Sequence, residues 1–273
     1  MIGLALTIAL AVLQRPAPEL GHPDALAPEA LAPAPTDHMK CLADAYPDVV
    51  CGADGASLVL CAGGRIPWDD GRGDKRYRAF LEEPDLEEMM RMRYRPGRDF
   101  PVPHVNFEPG RVRHEPFFFA VYGADRRAIE RQMVDVPWMP RRGGTSVLRV
   151  HRRVAPALQR VSDELERALS DDLAALARVT AGAFTWRTVR GSKRVSMHSF
   201  GIAIDIGVKR SDYWDWKKPD AHGRYAWRNR FPWEIAAVFE RHGFIWGAKW
   251  YHFDTMHFEY RPELLAAPCV DGR

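Results

Sequence analysis

The segment Ser196-Met197-His198-Ser199-Phe200-Gly201-Ile202-Ala203-Ile204-Asp205 carries the clearest structural pattern in this chain. Its second half alternates isoleucine with small or acidic side chains, which is the period-2 pattern of a β-strand with one buried face. Asp205 shares the face that otherwise carries glycine and alanine. Because a lone carboxylate in an apolar core is costly, we predict that this face borders a cleft or holds a partner charge.

A second alternating segment, Thr255 to Tyr260, lies near the C-terminus. It has Met256, Phe258 and Tyr260 on one side and Thr255, His257 and Glu259 on the other. His257 therefore projects away from the side chains that resemble a core face. Between the two strands, a helix is predicted over Pro232 to His242, with Pro232 in its first turn and Gly243 as its stop signal.

His198, Asp205 and His257 are candidate ligands of one metal ion. Three protein ligands leave a fourth tetrahedral position for water, as catalytic zinc requires, and this donor set suits zinc better than magnesium or calcium. His198 precedes Asp205 by seven residues, an odd spacing that in a straight strand would separate their side chains. The hypothesis therefore requires His198 to lie in the loop before the strand, or the chain to bend near Gly201. The alternative is a hydrogen-bonded His–Asp pair without a metal.

Two segments of the chain resemble the signatures of M15 zinc metallopeptidases. Ser196 to Asp205 is similar to S-x-H-x-x-G-x-A-x-D, and Asp254 to Glu259 is similar to D-x-x-H-F-E. The family includes D-alanyl-D-alanine carboxypeptidases and L-alanyl-D-glutamate endopeptidases of the bacterial cell wall. The resemblance implies an α+β fold of the DD-peptidase and Hedgehog type, in which helices flank a small antiparallel sheet that bears the zinc site.

The resemblance also implies roles for the motif residues. His198, Asp205 and His257 would bind Zn²⁺, and Asp254 would be the general base that takes a proton from the attacking water. Many relatives have Glu at the position of Asp254, whose side chain is shorter. Arg187 lies where the family places an arginine that stabilises the oxyanion.

Four further side chains are candidates for substrate binding or for support of the site. Arg190 is the alternative to the oxyanion arginine, and Ser196 would bind the substrate terminus, orient His198 or simply form a turn. Glu259 would be a partner of the ligand on its own strand face, or a surface carboxylate. His252 is expected to be structural or adjacent to the substrate rather than a ligand.

Composition and charge indicate an ordinary globular protein. The chain has 273 residues, of which 46% are hydrophobic and 27% charged, enough for one large domain or two small ones. Its net charge is only +3, from 39 basic and 36 acidic residues, and no run of five basic residues occurs. Nucleic acid is therefore not an expected partner.

Four cysteines are present, at positions 41, 51, 61 and 269, without a C-x-x-C spacing. Their even number suits one or two disulfides in an oxidising compartment, and free buried thiols are the alternative. The apolar run Ile2 to Leu13 is too short to span a bilayer and is typical of a secretory signal. A frayed N-terminus or a misassigned start codon would account for the same run without export.

The chain divides into four parts by composition and motif. Residues 1–37 are expected to be a signal segment and an Ala/Pro-rich linker, and residues 38–179 an N-terminal extension packed on the core. Residues 180–265 would form the peptidase core and residues 266–273 a C-terminal tail. This organisation predicts an exported protein of the periplasm or cell envelope without a stable membrane span.

Two local predictions concern the extension. The spacing of Leu158, Val161, Leu165 and Leu169 predicts a helix over residues 156–176. The bulky run over residues 117–122 favours a strand, although a helix could also begin there.

These features predict a zinc-dependent peptidase that acts on peptidoglycan stem peptides as D-Ala-D-Ala carboxypeptidases do. The alternatives are a cell-wall endopeptidase of the L-Ala-D-Glu type and a non-catalytic wall-binding module with the same fold. A carboxypeptidase needs a group that holds the terminal carboxylate, whereas an endopeptidase needs an open cleft. Trp214, Trp216 and Trp227 are expected in a loop near the cleft, where aromatic rims suit sugar or peptide ligands.

Overall fold

The computed structural model describes residues 35–266 and Cys269. The expected signal segment and most of the linker, up to residue 34, lie outside the described residues. The described α-helices are α1 (Pro35–Ala45), α2 (Tyr77–Glu82), α3 (Leu86–Arg91), α4 (Glu115–Tyr122), α5 (Arg126–Glu130), α6 (Ala155–Ala168), α7 (Asp171–Ala177) and α8 (Trp233–Arg241). None of these helices is long and apolar enough to cross a lipid bilayer.

The described strands are β1 (Val50–Ala53), β2 (Ser57–Leu60), β3 (Arg65–Pro67), β4 (Met133–Pro137), β5 (Val147–His151), β6 (Thr180–Gly182), β7 (Ala203–Ile206), β8 (Phe244–Trp246) and β9 (His257–Tyr260). They form a three-stranded sheet β1-β2-β3, a hairpin β4-β5 and a four-stranded sheet in the order β6-β7-β9-β8. All neighbouring strands are antiparallel. The predicted class, α+β with small antiparallel sheets, is confirmed.

The register between β7 and β9 determines which side chains meet at the centre of the molecule. Ile204 is paired with Phe258, and both side chains are fully buried. One residue further along, Asp205 is paired with His257 on the opposite face of the sheet. The first of the two predicted strands is thus present, with its apolar face in the core and its other face open to the site.

Strand β9 begins later than the alternating pattern predicts, at His257 instead of Thr255. Residues 254–256 form a turn instead, in which the His257 amide donates to the Asp254 carbonyl at 3.2 Å. Thr255 is held outside the sheet because it exchanges backbone and side-chain hydrogen bonds with Asp212. These hydrogen bonds join residues 43 positions apart, so the alternation within residues 255–260 does not indicate them.

Helix α8 follows the prediction, since it runs from Trp233 to Arg241 between Pro232 and Gly243. The helix predicted over residues 156–176 is instead two helices, α6 and α7. They are separated by Leu169 and Ser170, whose backbones are extended. The run over residues 117–122 is helical in α4, because its aromatic side chains bury against the core and override their strand propensity.

The hydrophobic core is continuous between the two halves of the chain. Phe118 of α4 lies against Phe200, with ring centroids 5.8 Å apart. Trp138, after β4, lies against Phe239 of α8, with ring centroids 6.2 Å apart. The residues before position 180 therefore form one side of the core on which the four-stranded sheet packs.

Two disulfides cross-link the chain and use all four cysteines. Cys41 of α1 is bonded to Cys269 near the C-terminus, and Cys51 is bonded to Cys61 across the first hairpin. Of the two sequence alternatives, paired and free thiols, the structure has the paired one. Disulfides of this kind persist in oxidising compartments, which is consistent with a protein outside the cytoplasm.

Candidate metal centre

His198 reaches the site from a tight turn that precedes β7. Residues 197–200 form a 3₁₀ turn, at whose start the Ser196 hydroxyl accepts a hydrogen bond from the His198 amide at 3.4 Å. Gly201 ends the turn with φ +67°, in the left-handed region that favours glycine. The chain thus bends at Gly201, which is what the odd spacing of His198 and Asp205 requires.

Asp205 and His257 meet across the antiparallel pair β7–β9. They are direct cross-strand partners, a position that brings side chains on one face within contact distance. His257 Nδ1 lies 2.8 Å from Asp205 Oδ1, and His198 Nε2 lies 3.2 Å from Asp205 Oδ2. One ligand atom from each of these three residues falls within 4.8 Å of the others, so the group could hold a single metal ion.

The hydrogen bond of His198 Nδ1 leaves the Nε2 atom of the same ring without a hydrogen-bond partner among the described residues. His198 Nδ1 lies 2.6 Å from the Ala183 carbonyl and therefore donates to it. His198 Nε2 is buried and has no hydrogen-bond partner within residues 35–266. A buried lone pair that faces a carboxylate is unfavourable unless a cation lies between them. This orphaned nitrogen fits a metal ligand.

His257 is held by carboxylates at both ring nitrogens. Besides the contact of Nδ1 with Asp205, Nε2 lies 2.8 Å from Glu259 Oε1. Burial alone would lower the pKa of His257, but the two carboxylates outweigh it and raise this pKa to about 10. Burial would likewise raise the pKa of Asp205, yet the neighbouring imidazoles hold it below its usual range. The carboxylates of Asp205 and Glu259 therefore favour a positive charge between them.

Glu259 is fully buried behind His257 and is paired with Arg113. Arg113 Nε donates to Glu259 Oε2 at 3.2 Å, and Arg113 Nη2 donates to Oε1. Burial by itself would raise the pKa of Glu259, but the Arg113 charge and the hydrogen bond from His257 lower it to about 2. Of the two sequence interpretations, a ligand's partner and a surface carboxylate, the contacts match the first.

Asp254 lies in the turn just before His257, with its amide donating to the Gly247 carbonyl at 3.0 Å. Its Oδ1 is buried without a hydrogen-bond partner in the described part of the chain. Burial, aided by the charge of Asp205 and opposed by that of His257 and Arg111, raises the pKa of Asp254 to about 6. A carboxyl group with such a pKa can accept and release a proton near neutral pH.

The two arginine candidates occupy different environments. The backbone of Arg187 is joined to the His198 turn: its amide donates to Ser199 Oγ at 2.8 Å, and its carbonyl accepts from the Ser196 amide at 3.0 Å. Its side chain is exposed. Arg190 is also exposed, but its guanidinium donates to Asp215 at 2.8 Å. Arg187 is thus the candidate attached to the site itself.

His252 belongs to a separate buried network. Its Nδ1 contacts Glu108 Oε1 and lies 3.1 Å from the Tyr77 hydroxyl. Burial would raise the pKa of Glu108, but the charges of Arg111 and His252 lower it to about 2. His252 is therefore occupied by protein partners, and it is not among the three residues whose ligand atoms converge.

The tryptophans expected near the cleft lie in different surroundings. Trp214 packs edge-on against His252, with ring centroids 4.7 Å apart. Trp216 is 55% exposed beside Tyr213. Trp227 donates its indole N–H to the Ala248 carbonyl at 2.8 Å, which is a packing role.

Sequence reasoning missed the arginines that approach the site from before residue 180. Arg111 and Arg113 both lie 5.8 Å from the ring of Trp250, which in turn lies 5.6 Å from the ring of His257. The signal that could have found them is the Arg-Val-Arg sequence that directly follows Pro109-Gly110. Nothing in that signal indicates which carboxylates the arginines would meet.

A second group of carboxylates, Asp69, Asp70 and Asp85, is also close enough to hold an ion. The ammonium of Lys75 lies 2.7 Å from Asp70 Oδ2 and 4.0 Å from Asp85 Oδ2. Since the buried ammonium of Lys75 already contacts two of these carboxylates, and Asp69 and Asp70 are exposed, they are not a candidate metal centre.

Comparison with known families agrees with this geometry. Residues 190–260 match a peptidase family model described as D-alanyl-D-alanine carboxypeptidase, so the resemblance seen in the sequence is confirmed over that segment. The match contains the three converging residues and Asp254, whereas Arg113 and Arg187 precede it. No curated protein and no solved structure is significantly similar to the chain.

Proposed function

We propose that the protein is a zinc-dependent peptidase that hydrolyses peptide bonds in peptidoglycan stem peptides, as D-Ala-D-Ala carboxypeptidases do. The observation that carries the proposal is the convergence of His198, Asp205 and His257 beside the half-buried Asp254, within the segment that matches the family. A wall-binding module would have no need for a proton acceptor at this place.

The donor set supports zinc as the metal. Two imidazoles and one carboxylate suit zinc, and three protein ligands leave a coordination position for water. His198 would bind through Nε2, since its Nδ1 donates to a carbonyl, and His257 through Nδ1, since its Nε2 donates to Glu259. The chemistry that such a metal supplies when bound is activation of water and polarisation of the peptide carbonyl.

Asp254 would carry the proton in the reaction. It would accept a proton from the attacking water and pass it to the leaving amine. Its raised pKa, about 6, matches that task because the group is ionised at neutral pH and remains basic enough to hold a proton. Burial provides this pKa.

Arg187 would stabilise the charge that develops on the carbonyl oxygen. Three observations support this role: its backbone is bonded to the His198 turn, its side chain is exposed, and it has no ion pair among the described residues. The charges of Asp254 and Arg187 act in opposite directions on the pKa of Tyr213, the first raising it and the second lowering it.

The disulfides support a location outside the cytoplasmic membrane, in the periplasm or cell envelope. Peptidoglycan stem peptides occur in that compartment. These peptides also carry free carboxylates, which the exposed guanidinium of Arg187 would attract.

The metal requirement is tested with single substitutions. His198→Ala and His257→Ala should each abolish hydrolysis and zinc binding, because each removes one of three protein ligands. His242→Ala is the matched control, since His242 lies at the end of α8 with its imidazole on Glu164, away from the site. Zinc content by atomic absorption, with hydrolysis assays, measures both effects. A wild-type protein that is active without zinc would contradict the proposal.

The substrate is tested with defined muropeptides and the zinc-loaded protein, with products identified by mass spectrometry. Release of D-Ala alone supports the carboxypeptidase. An internal cut between L-Ala and D-Glu would show the endopeptidase. No cut, together with binding to intact peptidoglycan, would show the non-catalytic module and overturn the proposed function.

A further inference from the structure

A side chain from outside the family segment is built into the candidate metal centre. Arg113 lies on the segment between α3 and α4, and both of its contacting nitrogens reach the same carboxylate, that of Glu259. The side chain of Arg113 is 8% exposed and that of Glu259 is fully buried. This is a bidentate ion pair away from solvent, the geometry in which arginine and carboxylate interact most strongly.

The same carboxylate is the hydrogen-bond acceptor of a candidate metal ligand. Glu259 Oε1 receives both Arg113 Nη2 and His257 Nε2, the latter at 2.8 Å. On the far side of the imidazole, Nδ1 faces Asp205. Arg113, Glu259, His257 and Asp205 therefore form one continuous series of contacts that leads from Arg113 to the candidate metal centre. Trp250 lies beside this series, 5.8 Å from Arg113 and 5.6 Å from the His257 ring.

Without Arg113, Glu259 would be a buried carboxylate next to an imidazole, and a buried charge lacking a partner is costly. It could then rotate toward another cation. Arg261 is that other cation, but its Nη1 lies 3.9 Å from Glu259 Oε2, and it donates to Glu263 and to the Gly110 carbonyl instead. Arg113 is therefore the group that holds the Glu259 carboxylate in line with the imidazole N–H.

We propose that Arg113 is a positioning residue of the metal centre. It fixes Glu259, Glu259 fixes the tautomer and ring orientation of His257, and His257 then presents Nδ1 to the metal. The inference rests on the proposed function, because it concerns the same zinc site. It assigns to the segment before residue 180 a chemical role that the family segment alone cannot fill.

The experiment compares zinc affinity and cobalt spectra of full-length variants. Arg113→Met removes the charge and both hydrogen bonds, whereas Arg113→Lys retains a cation with a single point of contact. Arg153→Met is the matched control: Arg153 also forms a bidentate pair, with Asp48 at 2.8 and 2.6 Å, and it lies outside the site. Zinc affinity is measured by chelator competition, and Co²⁺-loaded protein reports ligand geometry through its visible absorption.

Arg113→Met should bind zinc about 10- to 100-fold more weakly than wild type, the usual effect of losing the partner of a metal ligand. Its Co²⁺ absorption bands should shift, and Arg113→Lys should restore part of both changes. Arg153→Met should match the wild type. A merely structural role of Arg113 would lower the thermal midpoint without altering the Co²⁺ spectrum of the folded protein, and that result would overturn the inference.

A second substitution keeps the test decisive if Arg113→Met does not fold. Glu259→Gln retains an acceptor oxygen but loses the charge, so it should also weaken zinc binding. Adding Arg113→Lys to Glu259→Gln should then cause little further loss, because the two residues act through one contact. Fully additive losses would overturn the inference. A wild-type protein that binds no zinc would instead overturn the proposed function, and the inference with it.

Discussion

Two half-buried carboxylates at the candidate metal centre, Asp205 and Asp254, differ in their pKa because their partners differ. Asp205 accepts from His257, faces His198 and has a pKa below its usual range. Asp254 has an unpaired Oδ1 within the described residues, and burial raises its pKa to about 6. Environments that separate the pKa values of neighbouring acids are how a site divides ligand and proton-transfer roles between like side chains.

Asp254→Asn should therefore separate binding from turnover. Asparagine retains the shape of the side chain but cannot take a proton, so zinc content should stay at the wild-type level while kcat falls by about 10²- to 10⁴-fold. Asp220→Asn, which removes an exposed carboxylate paired with Arg224, is the control and should retain activity. Wild-type turnover in the Asp254 variant, or loss of its zinc, would contradict the assignment.

His151 of β5 provides a pH-dependent contribution to the stability of the fold. It is 2% exposed, its Nε2 donates to the Tyr122 carbonyl at 3.0 Å and its Nδ1 accepts from the Arg153 amide. Burial, with the nearby arginine charges, lowers its pKa from 6.5 to about 4. Between pH 4 and 6.5 the unfolded chain therefore binds more protons at this histidine than the folded protein does. The contribution of neutral His151 to the free energy of unfolding is fully present above pH 6.5 and is lost as the pH falls toward 4.

As the pH falls from 6.5 to 4, His151 should cost the folded state about 3 kcal/mol. His151→Gln retains a donor toward Tyr122 without a titratable group. In urea unfolding measured across this range, the variant should show a shallower decline in the free energy of unfolding than the wild type. Part of the decline should persist, because burial lowers the pKa of His38 to about 4 as well. Identical slopes would contradict the prediction.

Among the secondary-structure elements, the turn over residues 197–200 and the pair β7–β9 together create the site. If β7 shifted by one residue relative to β9, Asp205 would no longer pair with His257. Each side chain of β7 would then point to the opposite face of the sheet. Glycine at position 201 allows the turn to press against β5. A Cβ atom there would lie 2.7 Å from the His151 amide nitrogen and the same distance from Met133 Sδ.

Gly201→Ala should consequently destabilise the protein by about 3 kcal/mol, from left-handed backbone strain plus overpacking. Gly191→Ala is the matched control, because Gly191 has φ +73° and no atom within 4 Å of the added Cβ. It should cost only about 1 kcal/mol. Urea denaturation measures both values. Equal losses would show that contact with His151 and Met133 contributes nothing.

The Cys41–Cys269 disulfide is the cross-link that affects the molecule as a whole. This bond joins α1 to the C-terminal end across a separation of 228 residues, whereas Cys51–Cys61 closes a separation of 10. Both ends of the described chain are thereby held against the same core, since Cys41 and Cys269 are buried in it. The constraint on the unfolded chain grows with the length of the closed loop.

Removing the long disulfide should accordingly cost more than removing the short one. We expect about 4 to 5 kcal/mol for Cys41→Ser with Cys269→Ser, and about 2 to 3 kcal/mol for Cys51→Ser with Cys61→Ser. Urea unfolding of both double variants under non-reducing conditions gives the comparison. A larger loss from the short loop would indicate that strain or packing, and not chain entropy, dominates.

Local pattern was sufficient to predict the strand around Ile204, helix α8 and the group His198, Asp205 and His257, whereas the α+β class came from the family resemblance. Alternation, helix boundaries and ligand chemistry all lie within short segments of the sequence. The helical state of residues 117–122 was not predictable, because burial of the aromatic side chains overrides their strand propensity. The apolar spacing also gave no sign of the break between α6 and α7, where the backbones of Leu169 and Ser170 are extended. The Cys41–Cys269 bond and the arrival of Arg113 at Glu259 join residues 228 and 146 positions apart. Contacts over such separations produce no periodic pattern in the sequence. The residues meet only because the whole chain packs into one tertiary structure.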